Sequence, residues 1–375
     1  MLDTEKRTGS IGVILTCAVS VVLTTGLLMG FLKGAPQSAA SVTVTADVRG
    51  KFSMFVANQL SDALVGVKEL PKTYTLSDSD IAAPKPNPDC FGVTQDPQAV
   101  LAEIAAAERL LDGQELYFSS QTNNLEGRPI RYYRDETILM VTWKQKLDGS
   151  MYTFSEVKIA DASQFRRFLA DGVYGSSKQY LTTDMANSVN AVVASSGDFY
   201  QYRQVGMVVY EGTVRRMNST LVDSCLIDGN GDMQFIRKDT QMTQEEAQKY
   251  VDDNGIRFSL SFGPIMVEDG QVNITPWYSL GQVDDEYCRA GLCQMGKLHY
   301  LLAVASTEED AYHMPTIAQF ARQLQMTGCD KAYALDGGQT ATIAVQGETV
   351  NRVAYGSQRL ISDIIYFATA LPEGG

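Results

Sequence analysis

Two acids in this chain each follow an apolar run and sit on a glycine turn. In Cys329-Asp330-Lys331-Ala332-Tyr333-Ala334-Leu335-Asp336-Gly337-Gly338-Gln339-Thr340, residues 332 to 335 are apolar enough to be covered on both faces, as in a strand inside a sheet. Asp336 follows at the strand end. The next two glycines free the backbone for φ > 0 and let another molecule approach closely. Ala191 to Tyr200 repeats the plan, with an apolar run, Ser195-Ser196, Gly197, Asp198 and then Phe199-Tyr200. A carboxylate delivered this way can act on a bound molecule. The same pattern also serves a tight turn whose acid caps local N–H groups, and these residues alone leave both readings open.

The elements that must position these acids read as follows. Residues 130–147 and 152–159 alternate like strands, and 205–210, 224–227, 298–305 and 361–368 read as further strands. Asp96-Pro97 opens a helix that Gly113 stops, and Thr243-x-x-Glu246 is a capping box for a helix ending at Asn254-Gly255. Pro315 to Thr327 reads as a helix with Ile317, Phe320, Ala321 and Leu324 on one face and Gly328 beyond its end. Ser163 to Leu169 reads as a short helix, from Phe165, Phe168 and Leu169 on one side. Strands and helices do not alternate regularly, so the expected class is α+β, a large mixed sheet with a few packing helices.

Composition narrows the function classes. The 375 residues carry a net charge of −13. That argues against nucleic acid, which needs a basic face, and against a domain lying flat on anionic lipid. No charged residue occurs from Thr8 to Leu32, and residues 11–32 are long enough to cross a bilayer as a helix. Lys6 and Arg7 precede the run, so residues 1–10 are expected in the cytoplasm and the bulk outside, as a single-pass cell-membrane protein. A signal peptide cut near Ser38-Ala39-Ala40 is the rival. Residues 33–125 read as stalk, linker and adapter: Val48, Phe52, Phe55, Val56, Leu60 and Leu64 recur at helical spacing, and 71–95 is rich in proline and polar residues.

Only His299 and His313 occur, far apart, which nearly excludes a His-based metal centre, and neither a metal nor a cofactor is expected. Asp228-Gly229-Asn230-Gly231-Asp232 imitates a calcium loop. Met233 stands where such a loop needs glycine, so a hairpin turn at Asn230-Gly231 is the better reading. Cys17 falls in the apolar run, leaving Cys90, Cys225, Cys288, Cys293 and Cys329, and a local disulfide between Cys288 and Cys293 is expected.

Ser196-Gly197-Asp198-Phe199-Tyr200, Phe262-Gly263-Pro264, Gly328-Cys329, Leu335-Asp336-Gly337-Gly338-Gln339-Thr340 and Arg359-Leu360-Ile361-Ser362-Asp363 occur in that order. Together they resemble the phosphodiester glycosidase family, in its bacterial exopolysaccharide-associated form, over about residues 130 to 370, and residues 126–375 are taken as that domain. Ser196 and Ala334 stand where the family usually has Asn, and Pro276-Trp277-Tyr278 where it commonly has Pro-Arg-Thr. The resemblance implies hydrolysis of sugar 1-phosphodiesters in surface polysaccharide or wall polymers, with a phosphorylated glycan as partner. Such a site needs carboxylates at the anomeric carbon and donors at the departing phosphate. Asp198 and Asp336 are the expected catalytic pair. Ser196, Gly197, Arg203, Gly337, Gly338, Thr340 and Arg359 are the expected substrate-binding set, although Arg359 and Asp363, four apart, also fit a structural ion pair. Trp277 and Tyr278 offer rings for a sugar, with burial as the default. The alternative is a catalytically inactive relative that binds surface glycan or scaffolds an envelope complex.

Overall fold

The computed structural model describes residues 74–218, 221–274, 278, 283–308 and 313–372. The expected anchor at 11–32 and stalk helix at 48–64 lie outside the described residues, as do Pro276 and Trp277. Among the described residues no helix is long and apolar enough to cross a membrane.

The early strands are β1 (Phe91–Thr94), β2 (Ile130–Arg134), β3 (Ile138–Leu147), β4 (Ser150–Ile159), β5 (Phe165–Leu169), β6 (Val193–Ser196), β7 (Gly206–Tyr210), β8 (Thr213–Asn218) and β9 (Ser224–Asp228). The later ones are β10 (Met233–Ile236), β11 (Ile256–Leu260), β12 (Ile265–Glu268), β13 (Gln271–Val272), β14 (Arg289–Gly296), β15 (His299–Ser306), β16 (Lys331–Leu335), β17 (Ile343–Val345), β18 (Glu348–Thr349) and β19 (Asp363–Phe367). The helices are α1 (Pro97–Ala106), α2 (Glu108–Leu111), α3 (Tyr117–Gln121), α4 (Thr182–Ser188), α5 (Gln244–Asn254) and α6 (Ile317–Met326).

A nine-stranded sheet runs β1-β2-β3-β4-β15-β14-β16-β12-β13, and a five-stranded sheet runs β18-β17-β6-β19-β5. Both are antiparallel in every pairing described, where the sequence suggested a mixed sheet. The cause is visible in the chain. Turns such as Asp148-Gly149 between β3 and β4 fold strands directly back, whereas parallel pairing needs long crossovers. The class is α+β.

The two sheets face each other through aromatic contacts. Phe165 and Phe367 of the smaller sheet stack at 4.6 Å, and both pack on Tyr300 of the larger one, at 4.9 and 5.2 Å. The outer face of the small sheet is covered by α4, with Met185 and Ala186 packed against Ile364 and Tyr366. Phe118 of α3 meets Trp143 of β3 edge-to-face at 5.3 Å. Val100 of α1 and Leu110 of α2 join the same core. Residues 91–125 therefore do not stop at the adapter boundary of 125: β1 pairs with β2, and the helices bury their apolar side chains with the rest of the domain.

Three local expectations meet the structure differently. Residues 163–169 begin as a 3-10 turn capped by Asp161 and continue as β5, a strand buried on both faces, rather than as a helix. Cys288 and Cys293 do not bridge, and every described cysteine is free. The pair brackets most of an extended run, and five residues of strand span about 16 Å, far beyond disulfide reach. Cys293 instead lies against Cys329, and burial raises its thiol. The Asp228–Asp232 loop is the expected turn, since Asp228 Oδ1 accepts the N–H groups of Asn230 and Asp232 between paired strands β9 and β10.

Candidate functional site

The two glycine–acid corners meet in space. β6 ends at Ser196 and β16 at Leu335, and the Asp336 N–H donates to the Gly197 carbonyl at 3.2 Å. Gly197 itself donates to the Asp363 carbonyl at 3.1 Å, and a Cβ there would overlap the Asp363 carboxylate. Gly337 passes equally close to the Cys288 carbonyl, 2.5 Å from where its Cβ would stand. The glycines are needed because three chain segments cross at one point.

The two acids have different surroundings. Asp198 has no exposed side-chain surface. Its Oδ1 accepts from Arg167 Nη2 and from the Tyr200 N–H, each at 2.9 Å, and its Oδ2 accepts from the Ser261 N–H at 2.6 Å. Both oxygens accept their hydrogen bonds from inside the protein. Arg167 also reaches Asp363, from Nε at 3.0 Å, and Asp363 Oδ2 accepts the Asp198 N–H. Burial raises the Asp363 carboxyl; Arg167 opposes that and Asp198 adds to it. For Arg167, burial works to lower the guanidinium, and the two carboxylates more than offset it. One cation serving two buried acids is balanced when one of them carries a proton.

Asp336 is partly open to solvent. Burial of the carboxyl pushes it up to about 6, against the lowering effects of the Thr340 hydroxyl, Arg359, and Arg203. The Thr340 hydroxyl donates to the Gly337 carbonyl at 2.7 Å and shapes the turn. Arg203 lies over Phe262, 4.4 Å from its ring centre, and Arg359 over Phe199 at 4.8 Å. Among the described residues neither guanidinium makes an ion pair, and Arg203 Nη1 is buried without a hydrogen-bond partner. Burial lowers Arg203 while Asp336 draws it back up. Two cations close to one poised acid, with donors unspent, suit an anion between them.

The structure thus brings together Asp336, Thr340, Arg203 and Arg359, with Gly197, Gly337 and Gly338 shaping the floor. Other expectations change role. Gly338 gives its N–H to the Cys288 carbonyl at 2.8 Å, which removes it as a phosphate donor. Ser196 is buried with its hydroxyl unpartnered. Arg359 does not pair with Asp363, whose partner is Arg167. Tyr278 is buried, and its hydroxyl accepts the Asp223 N–H at 2.7 Å. Sequence reasoning passed over Arg167 and Tyr287. The signal for Arg167 was a pair of arginines inside the apolar run Phe165–Leu169. Tyr287 reaches over Gly338, where a Cβ would stand 2.5 Å from its hydroxyl.

Residues 189–368 match the sequence pattern of the phosphodiester glycosidase family. That stretch is a phosphodiester glycosidase domain. It contains Asp198, Arg203, Asp336, Arg359 and Asp363, while Arg167 lies ahead of it. No curated protein sequence matches the chain. A hypothetical protein from Synechocystis has a similar fold, with TM-score 0.51 and 13% identity over 64% of this chain and 63% of that one. This chain therefore spans less than two thirds of that protein's length. The catalytic domain of zebrafish N-acetylglucosamine-1-phosphodiester alpha-N-acetylglucosaminidase aligns with TM-score 0.49 and 15% identity, over 62% of this chain and 82% of that one.

Proposed function

We propose that this phosphodiester glycosidase domain hydrolyses sugar 1-phosphodiesters by cutting between the anomeric carbon and the bridging phosphate oxygen. The observation that carries the reading is Asp336, a residue partly open to solvent whose carboxyl is raised by burial, within electrostatic reach of two guanidiniums that make no ion pair among the described residues. Arg203 and Arg359 hold the phosphate. Asp336, ionised above its raised pKa, takes a proton from water as the water oxygen bonds to the anomeric carbon. The carbon–oxygen bond breaks and its electron pair leaves on the phosphate monoester. Such a leaving group is already weakly basic, so one carboxylate and two cations suffice without a second acid to protonate it. Arg167, Asp198 and Asp363 act as positioning residues behind Asp336.

The charge-free run at residues 11–32 would hold this domain on the outer face of a cell membrane, beside surface polysaccharide or wall polymers. Incubating the full chain with an N-acetylhexosamine 1-phosphodiester tests the reading. Free sugar is expected to appear, with release lowered about 10²–10⁴-fold in Asp336→Asn. An inert wild-type chain across several sugars would favour the glycan-binding alternative.

A further inference from the structure

Three of the eight large hydrophobic residues exposed among the described residues come from the two loops that carry the arginines: Tyr202 at 50%, Tyr355 at 85% and Leu360 at 49%. Their surroundings join them to Asp336. Tyr202 stacks on Phe199 at 4.5 Å, and Arg359 lies over both rings. Arg359 donates its N–H to the Gln339 carbonyl, and the Gln339 side chain reaches Ser357 at 3.3 Å, so the Tyr355 loop rests on the Gly337–Thr340 turn. Tyr287 stands within electrostatic reach of Tyr355, Asp336 and Arg359 alike. Tyr355 also holds a left-handed backbone, φ 59° and ψ 13°, which a bulky side chain adopts at a cost. Folding alone gives no return for that strain, since the ring is in water.

We infer that Tyr202 and Tyr355 form an aromatic shelf beside Arg359 that binds saccharide beyond the phosphate, so that the substrate is a phosphodiester of an extended glycan rather than of a small alcohol. This rests on the proposed reading of the site. A sugar has an apolar C–H face that stacks on a ring and hydroxyls at its edge. Exposed tyrosines on the loops that carry Arg203 and Arg359 offer both kinds of surface.

The test uses the full chain with Asp336→Asn, whose turnover is expected to be about 10²–10⁴-fold slower, and two synthetic N-acetylhexosamine 1-phosphodiesters, one with a disaccharide alcohol and one with methanol. Calorimetry is expected to show the disaccharide ester binding about tenfold tighter, and Tyr202→Ala or Tyr355→Gly to remove most of that advantage. Tyr355→Gly also relieves the left-handed backbone, so its Tm is expected to hold or rise, which separates lost binding from lost fold. Equal affinity for the two esters, no binding of either, or an advantage that survives both substitutions would overturn the shelf. A wild-type chain that cleaves neither ester while Tyr355 still governs binding would remove the catalytic reading and leave the shelf standing.

Discussion

At the scale of single residues, burial divides two acids that look alike in the sequence. Asp336 is partly open to solvent, and burial of its carboxyl raises its pKa. Ionising it is the costly step in the folded state, because its folded value, about 6, lies above its ordinary 3.8. The native state therefore binds the proton more tightly, and this group's penalty on stability grows as pH rises from about 4 to about 6, then stays constant. Two outcomes follow. Hydrolysis loses rate as pH falls through about 6, and the Tm of Asp336→Asn gains on wild type as pH rises from about 4 to about 6; matched melts and rates from pH 4 to 8 check both. Arg167 belongs to the opposite case, for it has no exposed side chain and pairs with two buried acids. Arg167→Ala leaves those acids without a cation and is expected to cost about 3–5 kcal/mol in denaturant unfolding, far more than Asp336→Asn. The glycine–acid pairs were legible in the chain. Which acid would be sequestered was not, because that depends on an arginine some thirty residues upstream of Asp198.

At the scale of elements, the site exists because β6, β16 and β19 end or begin within hydrogen-bond reach of each other. Gly197→Ala places a methyl on the Asp363 carboxylate and forces the corners apart. It is expected to destabilise by about 1–3 kcal/mol and to lower turnover in the molecules that remain folded, as read by melts alongside rates. Capped helices were readable from sequence. Thr243 with Glu246 forms the capping box it suggests, and Gly255 closes that helix in the left-handed conformation. The Pro315–Thr327 reading matches α6, which starts two residues later behind its Thr316 cap. β5 was misread for a physical reason. Phe165, Phe168 and Leu169 are spaced as on a helix face, yet a five-residue strand buried on both sides gives the same spacing.

At the scale of the whole molecule, residues 91–125 and the domain after them share one core, and buried polar groups fasten them. Glu156 of β4 accepts the N–H groups of Tyr117 and Phe118, each at 3.0 Å, and meets His299 Nε2 at 2.7 Å. Phe118→Ala is therefore expected to lower the stability of the entire domain by about 3–5 kcal/mol in one cooperative transition; a separate stalk would leave the main transition unmoved. That attachment was hidden from sequence reading, since a proline-rich stretch looks like a linker until its distant partner strand is known. The central claim, that water attacks carbon rather than phosphorus, is tested most directly by hydrolysis of an N-acetylhexosamine 1-phosphodiester in ¹⁸O-labelled water. The label is expected at the anomeric hydroxyl of the released sugar, lost with Asp336→Asn. Label in the phosphate monoester would contradict the account.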